Sequence, residues 1–177
     1  MLDLSQYGLR PGDSRRVDVT LHPEPVVLGG QTYLPEPASV VARLDLQATP
    51  DGLYMRLRFA CEIVGPCVRC LDPARLAIAI DAAEYHEPGA VADGDEEAVS
   101  DYLDDLRLDV ERWARDALVL AVPAIVLCRP DCRGLCPVCG ANLNDDPGHS
   151  HEQEQFDERW AALRALRDED GDPSGQD

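Results

Sequence analysis

Four cysteines crowd into twelve residues, Cys128, Cys132, Cys136 and Cys139, at the spacing C-x3-C-x3-C-x2-C in a loop rich in Arg, Pro and Gly. Four thiolates in tetrahedral array close the coordination shell of zinc, and a closed shell is structural rather than catalytic. The piece Cys136-Pro137-Val138-Cys139-Gly140 has the form of a zinc knuckle, a tight turn whose amides point at the sulfurs while Gly takes a conformation that a Cβ would hinder. The expected ligands are therefore Cys128, Cys132, Cys136 and Cys139. His149 and His151 stand ten to twelve residues beyond Cys139 as alternates. The gap between Cys132 and Cys136 is too short for the hairpin of an ordinary zinc ribbon, so a compact loop site over 127–144 is expected.

Three cysteines lie outside this loop. Cys67-Val68-Arg69-Cys70 is a second C-x2-C with three readings: packing thiols, half of a split metal site shared with Cys136 and Cys139, or a redox pair. The pair follows strands and a Gly65-Pro66 turn, not a strand leading into a helix, which argues against redox chemistry. Cys61 falls on an apolar strand face and reads as core.

The first half of the chain has the period of half-buried strands. Val40, Ala42, Leu44 and Leu46 form one apolar row, and Leu53, Met55, Leu57, Phe59 and Cys61 form another. Thr49-Pro50-Asp51-Gly52 between them predicts a hairpin turn. Further strands are expected at Arg75 to about Tyr85, Val17–Leu21 and Val26–Leu28. The period then changes. Leu106, Val110, Trp113, Ala114, Ala117, Leu118 and Ala121 recur at helical spacing, with Asp104 or Asp105 placed to cap a helix that Pro123 ends. A second helix is predicted from Phe156, Trp160, Leu163 and Leu166. The expected class is α+β in one domain over 1–167: an antiparallel strand-rich part at 15–85, an acidic loop at 86–103, a helix at 104–122, the zinc loop and a C-terminal helix at 156–167. The last ten residues, 168–177, carry five acidic residues and read as a disordered tail.

Charge narrows the function. Thirty-four acidic residues face sixteen basic ones, all Arg, for a formal net charge of −18. Residues 76–106 hold ten acidic residues and no Arg. Phosphate affinity comes from many cationic contacts, so the balance argues against a DNA binder and disfavours direct RNA binding. No basic and apolar leader opens the chain, and the longest apolar run, Ala117 to Leu127, is broken by Pro123 and short of the ~20 residues a membrane span needs. A cytoplasmic protein with reduced thiols is expected. No phosphate-binding loop, dinucleotide fingerprint, nucleophile elbow or H-E-x-x-H appears, so no enzyme is expected.

An ordered set of motifs carries a resemblance. Cys67-Val68-Arg69-Cys70-Leu71 follows the strands, Leu120-Ala121-Val122-Pro123 ends a helix, and Asp131-Cys132-Arg133-Gly134-Leu135-Cys136-Pro137-Val138-Cys139-Gly140-Ala141-Asn142-Leu143-Asn144 precedes Asp157-Glu158-Arg159-Trp160. Over roughly 15–167 the chain resembles the YceD family, the large ribosomal RNA subunit accumulation proteins of bacteria and plastids. The resemblance implies a non-enzymatic, zinc-stabilised factor supporting accumulation of large-subunit ribosomal RNA and ribosome assembly. Relatives often carry Cys-x-Cys where this chain has His149-Ser150-His151, and Asp-Pro-Arg where it has Asp157-Glu158-Arg159. The implied partner is a basic ribosomal protein or a large-subunit ribosomal RNA precursor, with no membrane involved. Two alternatives stay open: a zinc-dependent RNA-binding module using Arg129 and Arg133 with Arg56, Arg58 and Arg69, and a thiol oxidoreductase using Cys67 and Cys70.

Overall fold

The computed structural model describes residues 1–88, 90 and 98–151. Those residues form nine strands and one α-helix: β1 (Leu2–Asp3), β2 (Ser14–Leu21), β3 (Val26–Leu28), β4 (Gln31–Glu36), β5 (Val40–Ala48), β6 (Leu53–Pro66), β7 (Pro73–His86), β8 (Leu103–Asp104), β9 (Arg107–Leu108) and α1 (Val110–Ala121). The chain divides into two compact units, Met1–Gly134 and Leu135–Asp177.

The first unit is built on an antiparallel sheet around β6. One edge of β6 pairs first with β5 (Leu44↔Leu57, Leu46↔Met55) and then with β4 (Leu34↔Val64). Its other edge pairs with β7 along the whole length, from Leu53↔His86 to Pro66↔Pro73. Strand β2 joins the far edge of β5, and β3 joins β4. The predicted turn closes β5 to β6: the Thr49 amide donates to the Gly52 carbonyl at 2.8 Å and the Gly52 amide to Thr49 Oγ1 at 2.9 Å. The two apolar rows read from the sequence are buried as expected, with Cys61 among them. Burial pushes the Cys61 thiol up, as befits a packing residue.

Strand β4 was hidden by the Pro and Gly residues of that region. Its Tyr33 is wholly buried and its hydroxyl donates to the Pro66 carbonyl at 3.1 Å. A Cβ at Gly65 would come within 2.5 Å of the Tyr33 ring, so glycine lets this ring lie against the end of β6. The contact fixes the backbone one residue before Cys67.

The helix begins later than the sequence suggests. Residues 104–109 are not helical: β8 and β9 make a hairpin with Leu103↔Leu108 paired, and β9 continues onto β1. Asp105 and Leu106, with φ of 42° and 63°, are the two turn residues, in the positive-φ geometry favoured by short hairpins. The cap is accordingly neither Asp104 nor Asp105 but Asp109, whose carboxylate accepts from the Arg112 amide at 3.2 Å. Trp113, Ala114 and Leu118 are buried where α1 packs on β7 and β2, and Val122 turns extended before Pro123, as predicted. No described helix is long and apolar enough to cross a membrane. The predicted C-terminal helix at 156–167 and the tail at 168–177 lie outside the described residues, as do 89 and 91–97 of the loop at 86–103.

Candidate metal centres

The β6–β7 hairpin closes through Cys67-Val68-Arg69-Cys70-Leu71-Asp72. The Cys67 amide donates to the Asp72 carbonyl at 2.8 Å and the Leu71 amide to the Cys67 carbonyl at 3.0 Å. The Arg69 amide points at Cys67 Sγ, 3.5 Å away. This turn has the form of a knuckle: it folds both thiols to one side and aims backbone N–H groups at one of them.

The loop after α1 meets this knuckle. The Val68 amide donates to the carbonyl of fully buried Val126 at 3.0 Å, and Arg69 Nη1 donates to the Cys132 carbonyl at 2.9 Å. Gly134, at φ 79°, passes so close to Arg69 that a Cβ would lie 3.2 Å from its carbonyl. These contacts bring Cys128 and Cys132 onto Cys67 and Cys70. Cys67 Sγ lies 3.7 Å from Cys132 Sγ, Cys70 Sγ lies 3.5 Å from Cys128 Sγ, and all four sulfurs fall within 4.8 Å of one another. Cys67, Cys70 and Cys132 are buried and Cys128 is partly so. Burial opposes ionisation of Cys67, but amides of Cys70, Cys128 and Arg69 outweigh it and hold the thiol down to about 6. Burial pushes Cys70 and Cys128 up; neighbouring sulfurs add to the rise at Cys70, while at Cys128 the bond with Cys70 opposes it and Cys132 and Cys67 add to it.

Leu135–His151 holds a second group. Here the Cys136 amide donates to the Ala141 carbonyl and the Gly140 amide to the Cys136 carbonyl, both at 2.8 Å, with Gly140 at φ 75°. Asn142 Oδ1 accepts from the amide and the side chain of Asn144, and a following turn runs from Asn142 through Asp146 to the His149 amide. His149 Nε2 lies 3.2 Å from Cys139 Sγ, His151 Nε2 lies 3.3 Å from it, and the two Nε2 atoms are 2.9 Å apart. Cys136 completes the group within 4.8 Å. Amides of Cys139 and Val138 hold the Cys136 thiol down to about 6 against burial, with His149 assisting. Asp146 Oδ2 stands 3.7 Å from His149 Nδ1, the nitrogen facing away from the group.

The grouping departs from the one expected. Cys128 and Cys132 gather with Cys67 and Cys70, and Cys136 and Cys139 gather with His149 and His151. Each knuckle supplies only two sulfurs, so a shell of four needs a second segment, and the fold provides a different one for each knuckle. Cys67 and Cys70, for which a split site was considered above, have Cys128 and Cys132 as their partners in the first group.

Both groups fit a first-row ion. Zn–S bonds of about 2.3 Å in a tetrahedron set sulfur–sulfur edges of about 3.8 Å, against 3.7 and 3.5 Å here. Donor sets of four sulfurs, or of two sulfurs and two imidazoles, in tetrahedral array suit zinc or iron–sulfur centres rather than the oxygen-seeking ions.

Three of the five arginines considered for RNA are engaged within the fold. Arg56 grips Asp81 through two 2.6 Å bonds, Arg58 and Arg16 pair with Asp45, and Arg69 braces Cys132.

Comparison with known proteins agrees with the motifs. The sequence profile described as large ribosomal RNA subunit accumulation protein YceD matches residues 55–167. Uncharacterized proteins of Mycobacterium bovis and Mycobacterium tuberculosis are each 34% identical to the chain, over 92% of its length and 78% of theirs. A maize protein named large ribosomal RNA subunit accumulation protein YCED homolog 1, chloroplastic, is 42% identical over 40 residues, 23% of this chain and 14% of its own. No solved structure is significantly similar. On the profile match across the knuckle hairpin, α1 and both cysteine groups, the chain belongs to the YceD family.

Proposed function

We propose that the protein is a non-enzymatic, zinc-stabilised factor that supports accumulation of large-subunit ribosomal RNA by taking part in ribosome assembly. The observation that carries this reading is the family match over residues 55–167, which spans all eight candidate ligands and none of the strands before β6. The family name supplies the link to large-subunit RNA. The gathering of Cys67, Cys70, Cys128 and Cys132 supports zinc as the element that clamps the hairpin turn to the loop after α1. Four zinc-bound thiolates and one Zn²⁺ take the formal charge from −18 to about −20. A surface so acidic favours a basic partner, of which an unassembled ribosomal protein is the fitting kind, and such complementarity acts on encounter rate and specificity more than on affinity.

Depleting the protein in its own cells should lower large-subunit ribosomal RNA relative to small-subunit RNA, and a Cys70→Ser copy should fail to restore it. Unchanged subunit profiles on depletion during fast growth would overturn the reading.

A further inference from the structure

The second unit raises a question of its own: what holds Leu135–His151 in shape. Cys136 is the only buried residue in this stretch. Segments this short bury too little apolar surface to order themselves and depend on a disulfide or a metal. Yet the segment returns His149 and His151 to the Cys136–Cys139 knuckle, through hydrogen bonds from Asn142, Asp146 and their neighbours.

The side chains point to what that return accomplishes. The two imidazole rings stand edge to face, at 84° with centroids 4.7 Å apart, and both present Nε2 to the same spot. Cys139 Sγ is almost equally close to both nitrogens. A tetrahedral zinc with bonds of about 2.3 Å to sulfur and 2.0–2.1 Å to nitrogen sets edges of about 3.6 Å for S···N and 3.3 Å for N···N. The observed 3.2, 3.3 and 2.9 Å fall within about 0.5 Å of these. One ion is implied, since a two-metal cluster would separate a thiolate pair on one metal from an imidazole pair on the other. Asp146, beside His149 Nδ1, is placed to orient the ring so that Nε2 is the ligating nitrogen.

We propose that the chain holds two zinc-class divalent ions, and that the second, on Cys136, Cys139, His149 and His151, binds independently of the first and orders the exposed segment Leu135–His151. The two sites differ physically. The four-sulfur site carries a formal charge of −2 and is largely buried, whereas the site with two sulfurs and two imidazoles is formally neutral, with Cys139 and His151 exposed. A chelator reaches the second site more easily, so the second ion leaves first. This inference goes beyond the ribosomal reading and stands or falls without it.

The test is metal counting on the full-length protein, purified under reducing conditions with zinc and dialysed. Two zinc ions per chain are expected in the wild type and one in the double variant His149→Ala, His151→Ala, with the near-UV signal of buried Trp113 unchanged. Cobalt loading provides a second count. Thiolate-to-cobalt charge-transfer intensity per chain should fall by about one third in that variant, from six thiolate ligands to four. A chelator should remove half of the wild-type zinc in a faster phase that the variant lacks. One ion in the wild type, retention of both ions by the variant, loss of both together, or iron with sulfide in place of zinc at the second site would each overturn the proposal.

Discussion

Leu71 and Gly140 occupy the same place in two separate C-x2-C turns. Each is the residue after the second cysteine of a C-x2-C, each donates its amide to the carbonyl of the first cysteine, at 3.0 and 2.8 Å, and each has a left-handed backbone, at φ 65° and 75°. The match extends one residue further, to the 2.8 Å bonds that Cys67 and Cys136 donate to the carbonyls of Asp72 and Ala141. One local fold thus serves both groups. In one of them leucine stands where glycine is the unstrained choice.

Left-handed backbone costs a non-glycine residue roughly 1–2 kcal/mol, while glycine loses about 0.5–1 kcal/mol more than alanine in chain entropy. Leu71 is largely exposed, so its side chain contributes little packing. Leu71→Gly should therefore leave the protein as stable or up to about 1.5 kcal/mol more stable. Gly140→Val, with open space around the added Cβ, should lose at least about 1 kcal/mol of segment stability through backbone strain alone. Zinc affinity of each variant, measured by competition with a chromogenic chelator, should move in the same directions.

Removing metal should loosen a definite set of amides. Binding of structural zinc is folding free energy, on the order of 10 kcal/mol in small sites. The β6–β7 ladder is paired along its length and should outlast the ion, whereas the loop after α1 is tied to the knuckle by few bonds. Hydrogen exchange with chelator present should accelerate at Val68, Leu71 and Cys132 and stay slow at Leu57 and Phe59. Equal acceleration everywhere would mean that the sheet, too, depends on zinc.

Asp45 should report on acid stability. The bond from Arg16 holds its carboxyl below the usual 3.8, against partial burial and with help from Arg58. A depressed folded-state value adds stability that is present above the unfolded value and lost as pH falls through the folded one. Asp45→Asn should thus be less stable than the wild type near neutral pH, and the difference should shrink as pH drops below 3.8. Urea midpoints of the two proteins across that range provide the check.

Trp113 joins α1 to the sheet. It is 2% exposed and stacks on Tyr102 with ring centroids 6.0 Å apart. Trp113→Ala should cost about 3–5 kcal/mol, the range for deleting a buried aromatic. A loss below about 1 kcal/mol, read from thermal or urea unfolding, would place the helix outside the cooperative core.

Much of this protein was legible because it is local. The period-two rows of β5 and β6, the Thr49–Gly52 turn and the stop at Pro123 each depend on neighbours within a few residues, and each lies where the pattern says. Where a local signal had two outlets, context chose: Asp104 and Asp105 suit a helix cap, but pairing of β8 with β9 and β1 uses that stretch as a hairpin and passes the cap to Asp109.

The chain alone specified the candidate donors, cysteines at knuckle spacing and histidines two residues apart, together with a strongly acidic charge balance. It also marked the Cys136–Gly140 turn as a knuckle, because a C-x2-C turn is made by its own amides, while it left Cys67–Cys70 open among packing, metal and redox readings. Only the tertiary structure determined which donors meet. Cys67 and Cys132 are 65 residues apart in sequence, closer spacing favoured a shell within 128–139, and no local rule ranks one pairing above the other. The β6–β7 register sets where the first knuckle turns, Tyr33 and Gly65 anchor it, and the loop after α1 is drawn onto it at Val126 and Cys132. Coordination depends on distance in space, and the sheet determines that distance.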